Sequence, residues 1–223
     1  MILVEAAVET LDSALAAERA GVDRIELCEN LDEGGTTPDE GLIAAVAERI
    51  RLPVFVLIRP RAGGFVYSQR ELEEMIRAIE RAGSMGIAGI VTGALTSKGR
   101  VEVTGTRALI KAAAGLPVTF HRAIDSAADL PTALEAAIEA GAGRVLTSGG
   151  AATALEGVDV IAALVNQAHD RISVVAGGGI REHNVRDVIG RTGVREVHGR
   201  LVDEAQMRGL VDVVKGTSKP RNV

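Results

Sequence analysis

Eight times along the chain, a short run of β-type residues gives way to a longer Ala/Leu/Arg/Glu-rich segment. The runs cover residues 2–7, 24–28, 54–61, 89–93, 118–122, 144–148, 173–177 and 195–199. Helical segments follow each. Thr10 caps one that reaches Ala20, and Thr37-Pro38-Asp39-Glu40 opens one to Arg49 as a capping box with proline at the first helical position. Ser68 to Glu71 caps a helix to about Ala82, and Thr153 to Glu156 caps one to His169. The others are expected over 106–114, 129–140, 183–191 and 203–215. Eight strand–helix repeats in a chain of 223 residues predict a single-domain α/β fold, a (β/α)8 TIM-type barrel over residues 1–215 with a polar tail at 216–223. A doubly wound open sheet is the alternative, but no GxGxxG follows the first run.

Strand parity then assigns faces. In residues 24–28, Ile25 and Leu27 alternate with Arg24, Glu26 and Cys28, so the apolar pair can pack outward on helices while the acid and thiol face inward. Barrel chemistry sits at the C-terminal strand ends and the loops after them. Those positions hold Glu5, Glu26, Cys28, Asn30, Arg59, Arg61, Thr92, His121, Arg122, Asp125, Thr147, Ser148 and His198. Buried ions cost several kcal/mol unless paired, so their collection at one end points to a site. The competing reading is a polar network of Glu5, Glu26, Arg59 and His121 that only satisfies itself. Two glycine clusters, Ser148-Gly149-Gly150 and Gly177-Gly178-Gly179, either cradle an anion on free backbone N–H groups or form tight turns.

Composition narrows the classes. The formal charge of −5, the absence of Trp and a single Tyr argue against nucleic-acid binding. No apolar run approaches the length of a membrane span, and no signal peptide is evident. The lone Cys28 excludes an intramolecular disulfide and multi-cysteine zinc patterns. The four lysines, Lys98, Lys111, Lys215 and Lys219, all fall outside the strands, which disfavours a Schiff-base aldolase. His121 is the best general acid/base candidate, and His198 could share a ligand with it. His169 and His183 are read as surface residues.

Taken together, the motifs resemble the CutC family. They are Glu26-Leu27-Cys28 with Asn30-Leu31 and Gly34-Gly35-Thr36-Thr37-Pro38; Ile58-Arg59-Pro60-Arg61 with Phe65, Tyr67 and Ser68; Thr119-Phe120-His121-Arg122-Ala123 with Asp125; Leu146-Thr147-Ser148-Gly149-Gly150; Ala176-Gly177-Gly178-Gly179-Ile180; and Val197-His198. The resemblance implies a (β/α)8-type barrel, a cytoplasmic location, self-association into a dimer or tetramer, and a role in copper homeostasis with cysteine-based Cu(I) binding. Two departures stand out. Ala7 occupies a position where family members often carry a cysteine, and Gly199-Arg200 follows His198 where a Ser-Ala pair is usual. Copper as Cu(I) would therefore rest on Cys28 and a further partner: a histidine, a methionine, or Cys28 of a second subunit.

Three readings follow. The first is a copper homeostasis protein with Cys28 as metal ligand. The second is a barrel enzyme for a small anionic or phosphorylated metabolite. There Glu5, Glu26, His121 and Arg59 are the catalytic candidates. Asn30, Arg61, Arg122, Asp125, Ser148, Gly149, Gly150, Gly178, Gly179 and His198 are the anion-binding ones. The third is a non-catalytic sensor.

Overall fold

The computed structural model describes residues 1–216; the tail expected from Gly216 lies, from residue 217 on, outside the described residues. Eight parallel strands close a barrel in sequence order, β1 (Leu3–Val8), β2 (Arg24–Leu27), β3 (Val54–Leu57), β4 (Gly89–Thr92), β5 (Val118–Phe120), β6 (Arg144–Thr147), β7 (Ser173–Gly177) and β8 (Glu196–Arg200). A helix follows each strand: α1 (Leu11–Ala20), α2 (Glu40–Arg49), α3 (Gln69–Ser84), α4 (Val103–Ala112), α5 (Leu130–Ala140), α6 (Val158–Ala168), α7 (Val185–Thr192) and α8 (Glu204–Lys215). Short 3-10 turns at Leu31–Glu33 and Arg122–Ser126 sit in the loops after β2 and β5.

Six of the eight helices start at a side-chain cap, α6 and α7 having none, and four starts differ from the sequence expectation, that of α7 by beginning at Val185 and not at 183. Thr37 does not open α2. Its hydroxyl accepts the Arg59 N–H at 2.8 Å, and Asp39 takes over, accepting from Leu42 N at 2.9 Å. The Thr153/Glu156 box does form, with N–H to side-chain bonds of 3.0 and 3.2 Å, but it closes a turn and α6 begins only at Val158. Helix α4 starts at Val103, earlier than Thr106, because Glu102 caps it. The cap at Thr10 and the capping box at Ser68 stand as expected, and Ser13 completes a box at Thr10 as well.

The parity of β2 sets the layering. Ile25 and Leu27 join the large apolar cluster between sheet and helices. Ala7, Cys28, Phe55, Leu57 and Val91 form a separate, smaller cluster on the opposite strand faces, inside the barrel. Beside them lies a layer of ions. The Arg24 and Arg144 guanidiniums stack on the Phe55 ring at 4.9 and 4.3 Å. Arg24 donates to Glu5 and, at 2.5 Å, to Glu196 Oε2. Ser173 donates to the other Glu196 oxygen at 2.7 Å. A Cβ at Gly89 would fall 2.4 Å from the Phe55 ring, so glycine makes room for this stack. Two arginines and two glutamates balance in charge, which is how a barrel interior tolerates them.

Candidate active site at the barrel mouth

The site is built two residues up the same strand faces. Glu5 (β1), Glu26 (β2) and His198 (β8) are neighbours because the ladder sets Glu5 beside His198 and Ala7 beside Glu26. Glu5 Oε1 contacts His198 Nδ1 at 2.7 Å, and Glu26 Oε2 lies 3.7 Å from the same nitrogen. Glu26 Oε2 is buried and has no hydrogen-bond partner.

The two carboxyls are driven apart. Burial alone would raise Glu5, but the His198 hydrogen bond and the Arg24 charge hold it down at about 2. Burial, then the neighbouring Glu5 charge, raise Glu26 from 4.5 to about 7. His198 is lifted toward its cationic form because its bond to Glu5 and the two carboxylate charges outweigh burial. Glu5 is thus fixed as an anion, while Glu26 stands between acid and base near neutrality.

A cavity of about 320 Å3 opens above this group, and its walls include Glu26, Arg59, His121, Arg122, Arg181 and His198. Leu31, Leu57, Phe65 and Leu146 supply apolar wall, and Arg200 closes the rim. Arg59 is 5% exposed. It donates to the carbonyls of Glu33, Gly35 and Gly63 at 3.2, 2.6 and 2.9 Å and packs over Phe65. It holds two loops together, and among the described residues no carboxylate lies within salt-bridge distance of its buried charge, which adds positive charge to the cavity wall. Arg200 ties to Asp32 at 2.5 Å and to Leu31 O at 3.1 Å, fastening the loop after β2.

Several expected residues lie elsewhere or are already engaged. Arg61 is outside the cavity wall. Its guanidinium bonds Glu71 at 2.5 Å and the carbonyls of Gly64 and Val66. Asn30 is exposed, in a left-handed conformation, and donates to Thr36 at 2.9 Å. The cradle after β6 exists but holds the chain's own carboxylate. Asp125 accepts from Ser148 N and Gly150 N at 3.1 Å and from the Thr147 and Ser148 hydroxyls at 2.5 and 3.0 Å. Arg122 bonds Asp125 at 2.8 Å and Ser148 at 2.7 Å. Of the two glycine clusters, Gly178 and Gly179 line the cavity, whereas Gly149 and Gly150 serve Asp125 and the turn.

His121 sits at the end of β5, 5% exposed. Burial, then the Arg59 charge, depress it to about 3, so it is neutral at physiological pH and unsuited to act as a base there. Of the two, Glu26 is the group whose value lies near neutrality. Cys28 is fully buried. Its Sγ approaches only Val8 O, at 3.6 Å, and burial pushes the thiol far above its ordinary range. It lies outside the group formed by Glu5, Glu26 and His198, whose donor atoms fall within 4.8 Å of one another.

Sequence reading gave no site role to Arg181, to Phe65 or to the ion layer of Arg24, Arg144 and Glu196. A signal existed for two of these: Arg24 precedes Glu26, and Glu196 precedes His198, by two residues, so parity puts them on the same inner face. Arg181 follows the strand by four residues, and only the turn after Gly179 brings it to the wall.

The fold and the mouth cavity define a (β/α)8 barrel protein with a small, arginine-lined acid–base pocket. The CutC family model matches residues 2–202, and the chain belongs to that family. A CutC family protein from Xanthomonas axonopodis pv. citri is 49% identical over 208 residues, 93% of this chain and 84% of that one. A Homo sapiens protein named copper homeostasis protein cutC homolog is 46% identical over 196 residues, 88% and 72% of the two chains. A crystal structure of a CutC protein from Streptococcus agalactiae superposes with a TM-score of 0.85 at 35% identity, covering 91% of this chain and all of that one. The phosphoribosylanthranilate isomerase from Pyrococcus furiosus, at 17% identity and a TM-score of 0.66, shares the fold alone.

Proposed function

We propose that the protein is an enzyme that binds a small anionic metabolite at the barrel mouth and moves a proton on it with Glu26. The observation that carries this is a buried carboxyl with one unpartnered oxygen, poised near pH 7, in a cavity walled by Arg59, Arg122, Arg181 and Arg200. Such a carboxyl can give or accept a proton with little driving force either way. Glu5, His198 and Arg24 behind it hold fixed charges that orient it. The cations favour a substrate carrying phosphate or carboxylate. The reading extends to a cytoplasmic homo-oligomer, a dimer or tetramer, which sedimentation velocity would test. A thermal-shift titration with inorganic phosphate, citrate and a set of sugar phosphates tests the site. Stabilisation by at least one, diminished in Arg181→Met, is expected. No shift with any, or equal shifts in parent and variant, would defeat it.

The name of the human relative brings a second reading, copper homeostasis through a bound ion. One observation favours it: Glu5, Glu26 and His198 offer three donor atoms within 4.8 Å. Two carboxylates and an imidazole suit a divalent ion. Cu(I) prefers thiolate and thioether donors, and the Cys28 thiol is held protonated and is not one of the three donors. Cation entry would also have to displace the 2.7 Å Glu5–His198 bond. Equilibrium dialysis with Cu(II), on the parent and on His198→Gln, separates this reading from the first.

A further inference from the structure

His121 is held in one protonation pattern by its own loop. Its Nδ1 accepts the backbone N–H of Ala123 at 3.2 Å, so the neutral ring carries its hydrogen on Nε2. Nε2 is buried without a partner. The ring cannot turn away. Phe65 packs against it with centroids 5.0 Å apart and Phe120 at 6.0 Å. A fixed, neutral N–H donor that lacks an acceptor and belongs to the wall of the cavity suits an oxygen that gains negative charge during reaction. Across the same cavity stands Glu26, with an oxygen that lacks a donor. A missing acceptor and a missing donor in one pocket define the two ends of a substrate: a carbonyl oxygen for His121, and a proton for Glu26.

Resting on the acid–base reading above, we propose that the substrate is a small anion bearing a carbonyl with an adjacent C–H, and that the reaction is removal and return of that carbon-bound proton. The Glu26 carboxylate takes the proton. The C–H electron pair becomes the C=C bond of an enolate, and the carbonyl π pair moves onto oxygen, where the His121 Nε2–H bonds it. Glu26 then returns the proton to the same carbon or, if the substrate is a hydroxycarbonyl, to the former carbonyl carbon, while the hydroxyl proton passes to the former carbonyl oxygen and the hydroxyl carbon becomes the new carbonyl. The product is the isomeric hydroxycarbonyl; return to the same carbon from the same side gives back the substrate. Nothing is oxidised or reduced, and no co-reactant is needed. Arg122 and Arg181 hold the anionic tail.

Two measurements on the parent protein test this. In a histidine-labelled sample, long-range 1H–15N correlation should show His121 as the neutral Nε2–H tautomer from pH 8 to pH 5. The Nδ1–H tautomer, or an imidazolium at pH 6, overturns the proposal. Calorimetry then compares phosphoglycolohydroxamate, an enolate mimic, with glycerol 3-phosphate, which has the tail but no enolate oxygen. The mimic is expected to bind on the order of 100-fold more tightly. In His121→Phe that advantage should fall at least about tenfold while glycerol 3-phosphate binds as before. Equal affinity of the two compounds for the parent overturns the carbonyl chemistry and leaves the anion site standing. Binding of neither overturns both.

Discussion

Replacing Glu26 by glutamine should stabilise the protein in alkaline buffer while removing its proton carrier. The carboxyl titrates at about 7 in the folded chain against an ordinary 4.5. Below pH 4.5 it is protonated in both states and the raised value has no effect on stability. As pH rises from 4.5 toward 7 the unfolded chain ionises first, and folding loses free energy until both states are ionised. At about 1.36 kcal/mol per pH unit, the loss above pH 7 is about 3 kcal/mol. Glutamine keeps the shape and removes the ionisation. Urea unfolding of parent and Glu26→Gln at pH 8.5 should therefore favour the variant by up to about 3 kcal/mol, or roughly 6 to 12 °C in melting temperature for a chain of this size. At pH 4.5 the two curves should nearly coincide. A variant that is less stable than the parent at pH 8.5 would refute the reasoning, because it would make the ionised carboxylate a structural anchor and not a strained functional group.

Asp125→Ala should cost about 3 kcal/mol, since it leaves Ser148 N, Gly150 N and Arg122 without their acceptor; urea melts read this, and a change under 1 kcal/mol would show that the cradle does not depend on it. At Gly157 an added Cβ would lie 1.9 Å from Ser148 O, whereas at Gly190 it meets nothing within 4 Å. Gly157→Ala should lower the melting temperature sharply and Gly190→Ala should raise it slightly, and the reverse order would contradict the packing of the loop after β6. The buried Cys28 thiol should react with Ellman's reagent only on unfolding, and Cu(I) competition against a chromogenic chelator should give the same affinity for parent and Cys28→Ser. Picomolar binding lost in that variant would restore Cys28 as a ligand.

The barrel was legible because its determinants are local. Alternation by twos and capping residues repeat eight times, and each repeat can be read without the others. The misplaced helix starts arise where two segments compete for one group: Thr37 would have capped α2 had the Arg59 N–H not claimed its hydroxyl. The site was legible only as an inventory. Parity put Glu5, Glu26, His121 and His198 at the same mouth. What each can do depends on partners far away in sequence: Arg24 holds Glu5 ionised, Ala123 fixes the His121 tautomer, and Asp125 fills the cradle that glycine spacing advertised. The Arg61 side chain shows the same limit, since Glu71 on the next helix draws it away from the cavity.

The placement of charge argues against a purely structural role for the inner polar network. The lower ion layer satisfies nearly all of its groups, with Arg24 bridging Glu5 and Glu196 and both arginines stacked on Phe55. Two residues up, the pattern changes. Glu26 Oε2, His121 Nε2 and Arg59 Nε are all buried without partners, although leaving a buried polar atom unpaired costs about 1 to 3 kcal/mol. A network selected for stability would pair these groups with one another or replace them with apolar side chains of similar volume. Here an acceptor, a donor and a cation are each left unpaired around one cavity, above a layer in which, among the described residues, only Arg144 Nη2 lacks a partner. That division, a largely satisfied support under an unsatisfied mouth, is what a ligand must complete.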